Sequence, residues 1–182
     1  MRARVFALAA ALVLTGCTVG TPQAGQPVAQ LPTGFFNTWI DPDLGAVNEA
    51  SYAFGSPSVL RGDPVAALRA VICVEYLAVQ GYSPRWVAVS PLTVMQLDDA
   101  RDELRQTLGI APHAPPPLVI NTLLRLTQNL HTGNTTAARA LIRPPMFSLP
   151  PDQVLAQLTN LPPLPATHAA TQWAMLQSMR LR

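Results

Sequence analysis

The stretch DPVAALRAVICVEYLAVQG, residues 63–81, decides the fold of this chain of 182 residues. Asp63 and Pro64 predict a helix start, because an aspartate side chain caps the first free N–H groups and proline fits the first helical position. Gly81 predicts the end of the helix, since glycine is favoured just after the last turn. Between these ends, apolar side chains cover nearly the whole circumference, which is typical of a helix surrounded by other elements. The stretch therefore predicts a central, buried helix.

Three strongly polar residues interrupt the apolar surface of this helix: Arg69, Glu75 and Gln80. Arg69 and Gln80 lie about 20° apart on a helical wheel, so they can share one narrow polar seam. Glu75 lies well off that seam and needs a partner, because an unpaired buried carboxylate is costly. The large aliphatic residues of the helix are expected to be buried: Leu68, Ile72 and Leu77.

Five further helices are predicted on the C-terminal side of this one, because proline and glycine divide the chain at short intervals. Their approximate bounds are 91–108, 118–131, 135–142, 151–160 and 165–180. No set of alternating strands occurs that could form a sheet. The sequence therefore predicts an all-α fold, a compact bundle of about six short helices over residues 63–182 that follows a flexible N-terminal tether.

Residues 34–62 hold five of the eleven aromatic residues, but glycine and proline interrupt every candidate element there. We expect an irregular, aromatic-rich arm. One interpretation is that this arm wraps the helical core and buries its rings. The other is that the rings form a surface for a partner, a ligand or a membrane. On the second interpretation the candidate surface, which also takes in two aromatic residues after the central helix, consists of Phe35, Phe36, Trp39, Tyr82 and Trp86.

The first seventeen residues have the organisation of a signal peptide. Arg2 and Arg4 precede an uncharged apolar run over residues 5–14. That run is long enough for a signal core but shorter than the roughly 20 residues that cross a bilayer. The sequence LTGC, residues 14–17, follows. It resembles the lipobox of bacterial lipoproteins, in which an aliphatic residue and two small residues precede the cysteine that carries the lipid.

The lipobox resemblance implies a signal peptide over residues 1–16 and a mature chain that starts at Cys17. The Cys17 thiol would carry a diacylglyceryl group and its amine a further acyl chain such as palmitate, which together give stable membrane anchoring. Residues 17–33 are then expected to be the lipidated cysteine and a flexible linker. The resemblance also implies the bacterial cell envelope, facing the periplasm, and Thr18 favours the outer over the inner membrane.

Composition argues against several function classes. All twelve basic residues are arginine, and without the two in the signal peptide they balance the ten acidic residues, so we expect no nucleic-acid binding. The absence of lysine excludes Schiff-base and Walker-type chemistry. Neither a glycine-rich phosphate loop nor a nucleophile elbow occurs, and the histidines lack metal-ligand spacing. We therefore predict no catalytic, cofactor-binding or metal-binding residues and no cofactor.

The acidic run DDARD, residues 98–102, matches the DDxxD pattern of terpene synthases, which bind magnesium diphosphate. A solvated helix face with local ion pairs is the favoured interpretation, because the chain is short for that fold and Arg101 neutralises the cluster. The expected ion pairs are Asp98 with Arg101 and Asp102 with Arg105.

Two function classes remain open. The favoured hypothesis is a membrane-anchored envelope lipoprotein whose helical domain is a non-enzymatic accessory or scaffold for a protein partner. The alternative is a small-ligand carrier or weak enzyme, with a pocket between helices lined by Tyr76, Tyr82 or Trp86. An exposed aromatic patch would favour the first, and a buried cavity with convergent polar groups the second.

Overall fold

The computed structural model describes residues 29–36 and 39–180. Within these residues the chain forms eight α-helices and no β-strand, which confirms the predicted all-α class. The helices are α1 (Pro42–Gly55), α2 (Pro64–Gln80), α3 (Pro84–Val89), α4 (Pro91–Leu108), α5 (Pro116–His131), α6 (Thr135–Leu141), α7 (Pro151–Thr159) and α8 (Pro165–Ser178), with a 3₁₀ turn at Pro57–Val59.

Proline sets the helix starts. Of the eight helices that the structure describes, each except α6 begins at a proline, where the missing N–H has no helical partner to lose. Asp63 caps α2 as predicted, since its Oδ1 accepts hydrogen bonds from two backbone N–H groups of the first turn. Asn134 caps α6 in the same way. Gly109 ends α4 at φ +64°, a left-handed conformation that glycine adopts at low cost.

Helices α1 and α2 run antiparallel. Glu49, halfway along α1, pairs with Arg69 in the first half of α2 at 2.8 Å. Asp43, at the start of α1, accepts a hydrogen bond from Tyr76 near the end of α2. These two contacts fix opposite directions for the two helices.

Helix α4 runs antiparallel to α2 in turn. Glu75 of α2 pairs with Arg105 in the last turn of α4, whereas Gly81 after α2 packs against the backbone of Val94 in the first turns of α4. Helices α1 and α4 therefore point in the same direction.

Helix α8 closes a four-helix arrangement. His168 and Gln172 of α8 bond the carbonyls of Phe54 and Ser51 in α1, so α8 is antiparallel to α1. It also packs along α4, while α2 packs against α1 and α4. Helices α1, α2, α4 and α8 thus form an up-down-up-down bundle, in which each packs against two of the other three.

The predicted central helix is central. Helix α2 contacts α1, α4, α5 and α7. The three residues expected in the core, Leu68, Ile72 and Leu77, are fully buried. Each large aliphatic side chain removed from water in this way contributes roughly 1.5–3 kcal/mol to folding.

Glu75 has the partner that its position demands. Its carboxylate is fully buried and accepts two 2.7 Å hydrogen bonds from the guanidinium of Arg105. Arg105 also donates to the carbonyls of Pro112 and Ala114, so four of its five guanidinium N–H groups are hydrogen-bonded. The predicted pair between Asp102 and Arg105 is wrong, because Arg105 turns inward to neutralise the buried carboxylate.

The irregular arm predicted over residues 34–62 is wrong for Pro42–Gly55, which form α1. Asp41 caps this helix with hydrogen bonds to two N–H groups, and Pro42 follows at the first helical position. Gly45 lies inside this helix without breaking it. A glycine is needed there because its bare Cα lets the Phe36 ring approach closely. The short helix α3 was also not predicted, and these two helices account for eight instead of about six.

The last part of the predicted flexible linker is packed. Ala29 is fully buried, and its carbonyl accepts a 3.0 Å hydrogen bond from Gln80 at the end of α2. The signal peptide predicted over residues 1–16 and the lipidation site Cys17 lie outside the described residues. Among the helices described, none has both the length and the apolarity to cross a membrane.

Candidate functional site

One end of the bundle collects most of the exposed apolar side chains. Because the helices alternate in direction, the starts of α1 and α4 and the ends of α2 and α8 share this end. Ala29 lies there too, since it bonds Gln80. We term this the tether end; it comprises Ala29, residues 39–43, residues 80–95 and residues 176–180.

Eleven large apolar side chains of the described residues are exposed, and eight of them belong to the tether end. The eight are Trp39, Ile40, Tyr82, Val87, Leu92, Met95, Leu176 and Met179. The other three are Tyr52, Val59 and Leu118. Single exposed apolar residues are ordinary, but such a concentration marks an interaction surface.

The structure brings three of the five predicted surface residues to the tether end but exposes only two of them. Trp39 is 93% exposed and Tyr82 is 59% exposed. Trp86 is fully buried, so its assignment to the surface is wrong. Its indole N–H finds an acceptor inside the protein, which removes the usual reason for a tryptophan to reach water.

Phe35 and Phe36 occupy an intermediate position. They are half-buried against the core and meet edge to face, with their ring centroids 4.8 Å apart. The guanidinium of Arg69 lies 4.4 Å from the Phe35 ring centroid while it pairs with Glu49. A cation over an aromatic face adds an attractive contact. Phe35 therefore covers Arg69 of α2, Phe36 packs on Gly45 of α1, and the two rings hold the N-terminal segment on the bundle.

A hydrogen-bond network centred on Asp43 supports the tether end. The carboxylate of Asp43 is buried and accepts from the Tyr76 hydroxyl at 2.8 Å, the Trp86 indole at 3.1 Å and the Arg85 guanidinium at 3.3 Å. Arg85 also pairs with Asp41 at 2.8 Å. Because the hydrogen bonds involve charged groups, they are stronger than neutral ones. The network fixes α3 against α1 and α2.

Two members of this network, Tyr76 and Asp41, have pKa values shifted away from neutral pH. Burial and the hydrogen bond to Asp43 raise the pKa of Tyr76 well above its ordinary value. For Asp41, burial raises the pKa, but the Arg85 side chain and backbone N–H groups of the first turn outweigh it and lower the pKa overall. At neutral pH, Tyr76 is therefore a neutral donor and Asp41 an anion. The arrangement suits a structural support more than proton transfer.

Tyr82 is held at the surface by the acidic run of α4. Its hydroxyl donates to Asp98, whose other carboxylate oxygen pairs with Arg101 at 2.9 Å. The predicted Asp98–Arg101 pair is thus confirmed. The described part of the chain contains no group of three His, Cys, Asp or Glu side chains placed to hold a metal ion.

The opposite end of the bundle carries a concave groove of about 660 Å³. We term this the groove end; its walls come from the end of α1, the 3₁₀ turn, the α7–α8 loop and the start of α8. Apolar walls include Phe54, Pro57, Leu60, Pro162 and Pro163, and polar atoms come from Arg61, Asn160 and His168. The pocket predicted around Tyr76, Tyr82 or Trp86 is therefore not where the large groove lies.

Cys73 is fully buried in α2. Burial, together with the negative charge of Glu49, raises the pKa of its thiol well above the ordinary value. A thiol that stays protonated is a poor nucleophile. Cys73 is thus a core residue.

Comparison of this chain with protein-family models, with curated proteins and with solved structures finds no match. Function therefore has to be argued from the site itself, since a fold class hosts many functions. Sequence reasoning missed the Asp43 network because its members are 33 to 43 positions apart. The Asp41-Pro42 start signal was the available clue, because it resembles Asp63-Pro64.

Proposed function

We propose that this protein is a lipid-anchored lipoprotein of the bacterial cell envelope whose helical domain is a non-enzymatic accessory or scaffold for a protein partner. The observation that carries the proposal is the LTGC sequence at residues 14–17, followed twelve residues later by Ala29, whose carbonyl accepts a hydrogen bond from Gln80 of the bundle. Twelve residues span at most about 40 Å when extended. The anchor would therefore keep the bundle close to the membrane.

The proposed location follows from the same sequence. A chain exported and acylated at Cys17 faces the periplasm, and Thr18 favours the outer membrane. Membrane attachment would come from the acyl chains, which give stable anchoring when two or more are present.

A small-ligand carrier is the second candidate function, and the groove end favours it. A groove of about 660 Å³ with mainly apolar walls and a few polar groups has the size of a small-molecule site. A stoichiometric small molecule in native mass spectra of the gently extracted protein, lost on Leu60→Arg, would favour the carrier over the scaffold.

Intact-mass analysis of the protein from its own envelope tests the anchor. We expect loss of residues 1–16 and the added mass of a diacylglyceryl group, with further acyl mass on the amine. Cys17→Ser should abolish both changes, whereas Cys73→Ser, the matched control, should leave them intact because that thiol is buried. A mature protein that retains Met1, or that starts elsewhere without lipid, would contradict the proposal.

A further inference from the structure

We infer that the tether end is a membrane-docking surface that lies on the lipid bilayer, with its exposed apolar side chains in the interfacial region. The inference rests on the proposed anchor at Cys17 and goes further, because it assigns an orientation to the domain. Its occupant is the lipid surface, and a second copy of the chain is the competing outcome.

The chain between Cys17 and the bundle joins the bundle at the tether end. Ala29 is fully buried beside Gln80, so the segment from Cys17 enters the domain at the tether end. That segment reaches at most about 40 Å. The tether end is therefore the end of the bundle nearest the anchor, and the groove end lies farther away by about 25 Å, the length of a 17-residue helix such as α2.

The exposed side chains of the tether end have the chemistry of a membrane-interface surface. They come from four separate parts of the chain: the segment before α1, the region around α3, the start of α4 and the end of α8. Trp39 and Tyr82 combine an apolar ring with a polar group, which suits the boundary between headgroups and acyl chains. The aliphatic members, such as Leu92 and Met95, suit the acyl side of that boundary.

The tether end carries few charges that could attract anionic lipids. Around this surface Asp41 and Asp43 pair with Arg85, and Asp98 pairs with Arg101. Arg180 is the other ionised side chain of the tether end. The chain contains no lysine at all. Docking is therefore apolar, and we expect it on zwitterionic vesicles and with little dependence on salt, unlike attraction to anionic lipids.

The test uses the processed protein attached to vesicles of brominated phosphatidylcholine, with the fluorescence of Trp39 as readout. Trp86 is fully buried and Trp173 is half-buried, so the difference between the unchanged chain and its Trp39→Phe variant gives the signal of Trp39. We expect a blue shift and strong quenching of Trp39, unchanged between low salt and high salt. An unquenched Trp39 on an attached protein would overturn the inference.

Matched double variants give the control. Tyr82→Ser with Leu92→Ser removes two tether-end side chains that are 59% and 51% exposed. Tyr52→Ser with Leu118→Ser removes the same residue types at 65% and 53% exposure away from that end. The first variant should shift the docked-to-undocked ratio by about tenfold and the second should leave it unchanged. Equal effects of the two variants would contradict the inference.

A chemical attachment separates this inference from the proposed function. The Cys17 thiol can be joined to a maleimide lipid in vitro, because the only other cysteine, Cys73, is buried. Trp39 quenching in this form supports the docking surface even where cells do not acylate Cys17. Self-association of the attached protein with Trp39 shielded from bromolipid, seen as dimers on crosslinking, would assign the surface to a second copy instead.

Discussion

The two ends of the bundle differ in shape and in how they are supported. The tether end presents exposed rings and aliphatic side chains above the Asp43 network, while the groove end is concave and walled by Pro57, Pro162 and Pro163. Proline restricts the backbone, so the groove walls are rigid without a network of ion pairs. The two ends therefore suit different partners. The tether end suits an apolar surface, and the groove end suits a ligand or partner of complementary shape.

Each end also relies on a buried carboxylate. Asp43 lies at the start of α1 and serves three donors from α2 and α3. Glu75 meets Arg105 in the last turn of α4, and Arg105 holds the loop that leads from the groove end into α5. The comparison predicts that the two carboxylates support different parts of the molecule.

The largest effect is expected for Arg105→Met. The change leaves Glu75 fully buried without its partner, so we expect a loss of about 3–5 kcal/mol in the free energy of unfolding, measured by urea denaturation. Arg139→Met is the control, because the side chains of its pair with Asp152 are 55% and 78% exposed, and an exposed pair should contribute less than about 1 kcal/mol. Adding Glu75→Leu to Arg105→Met should restore much of the loss. Equal losses in the free energy of unfolding for the two arginine variants would show that the buried pair stabilises the fold no more than an exposed pair.

A smaller loss is expected for Asp43→Asn, at the other end. The amide keeps the shape but removes the negative acceptor of Tyr76, Trp86 and Arg85, which should cost about 2 kcal/mol. Asp41→Asn should cost less, since that carboxylate is half-exposed and asparagine also caps helices. Urea denaturation followed by tryptophan fluorescence measures both. Equal losses in the free energy of unfolding for Asp43→Asn and Asp41→Asn would contradict the stabilising role of the Asp43 network.

Much of the bundle could be predicted from local signals. The capped start at Asp63, the apolar circumference of α2 and the need of Glu75 for a partner all follow from neighbouring residues. These signals are strong because proline, glycine and short caps act within a few residues of a helix end.

The missed features depend on contacts between distant residues. Gly45 looked like a helix breaker, but it serves as the contact point for the Phe36 ring. Trp86 looked like a surface residue, but Asp43 provides the acceptor that allows burial. Arg105 was predicted to pair with Asp102, but it pairs with the buried carboxylate of Glu75, which cannot be hydrated by water. In each case a contact with another element of the fold determines where the residue lies, and the spacing of residues in the sequence does not indicate that contact.

The smallest expected effect concerns the pH dependence of the tether end. Tyr76 in the unfolded chain ionises near pH 10, whereas in the folded protein burial and Asp43 raise its pKa well above that value. Above pH 10 the unfolded state therefore binds fewer protons than the folded state, and the free energy of unfolding must fall as pH rises. The slope from one such group is at most about 1.4 kcal/mol per pH unit.

Tyr76→Phe removes one hydrogen bond, costing about 1 kcal/mol at pH 7, but it also removes this slope. The difference between wild type and Tyr76→Phe in urea denaturation should consequently shrink between pH 9 and pH 11. Differences that stay constant over this range would mean that the Tyr76 hydroxyl does not stabilise the tether end through Asp43.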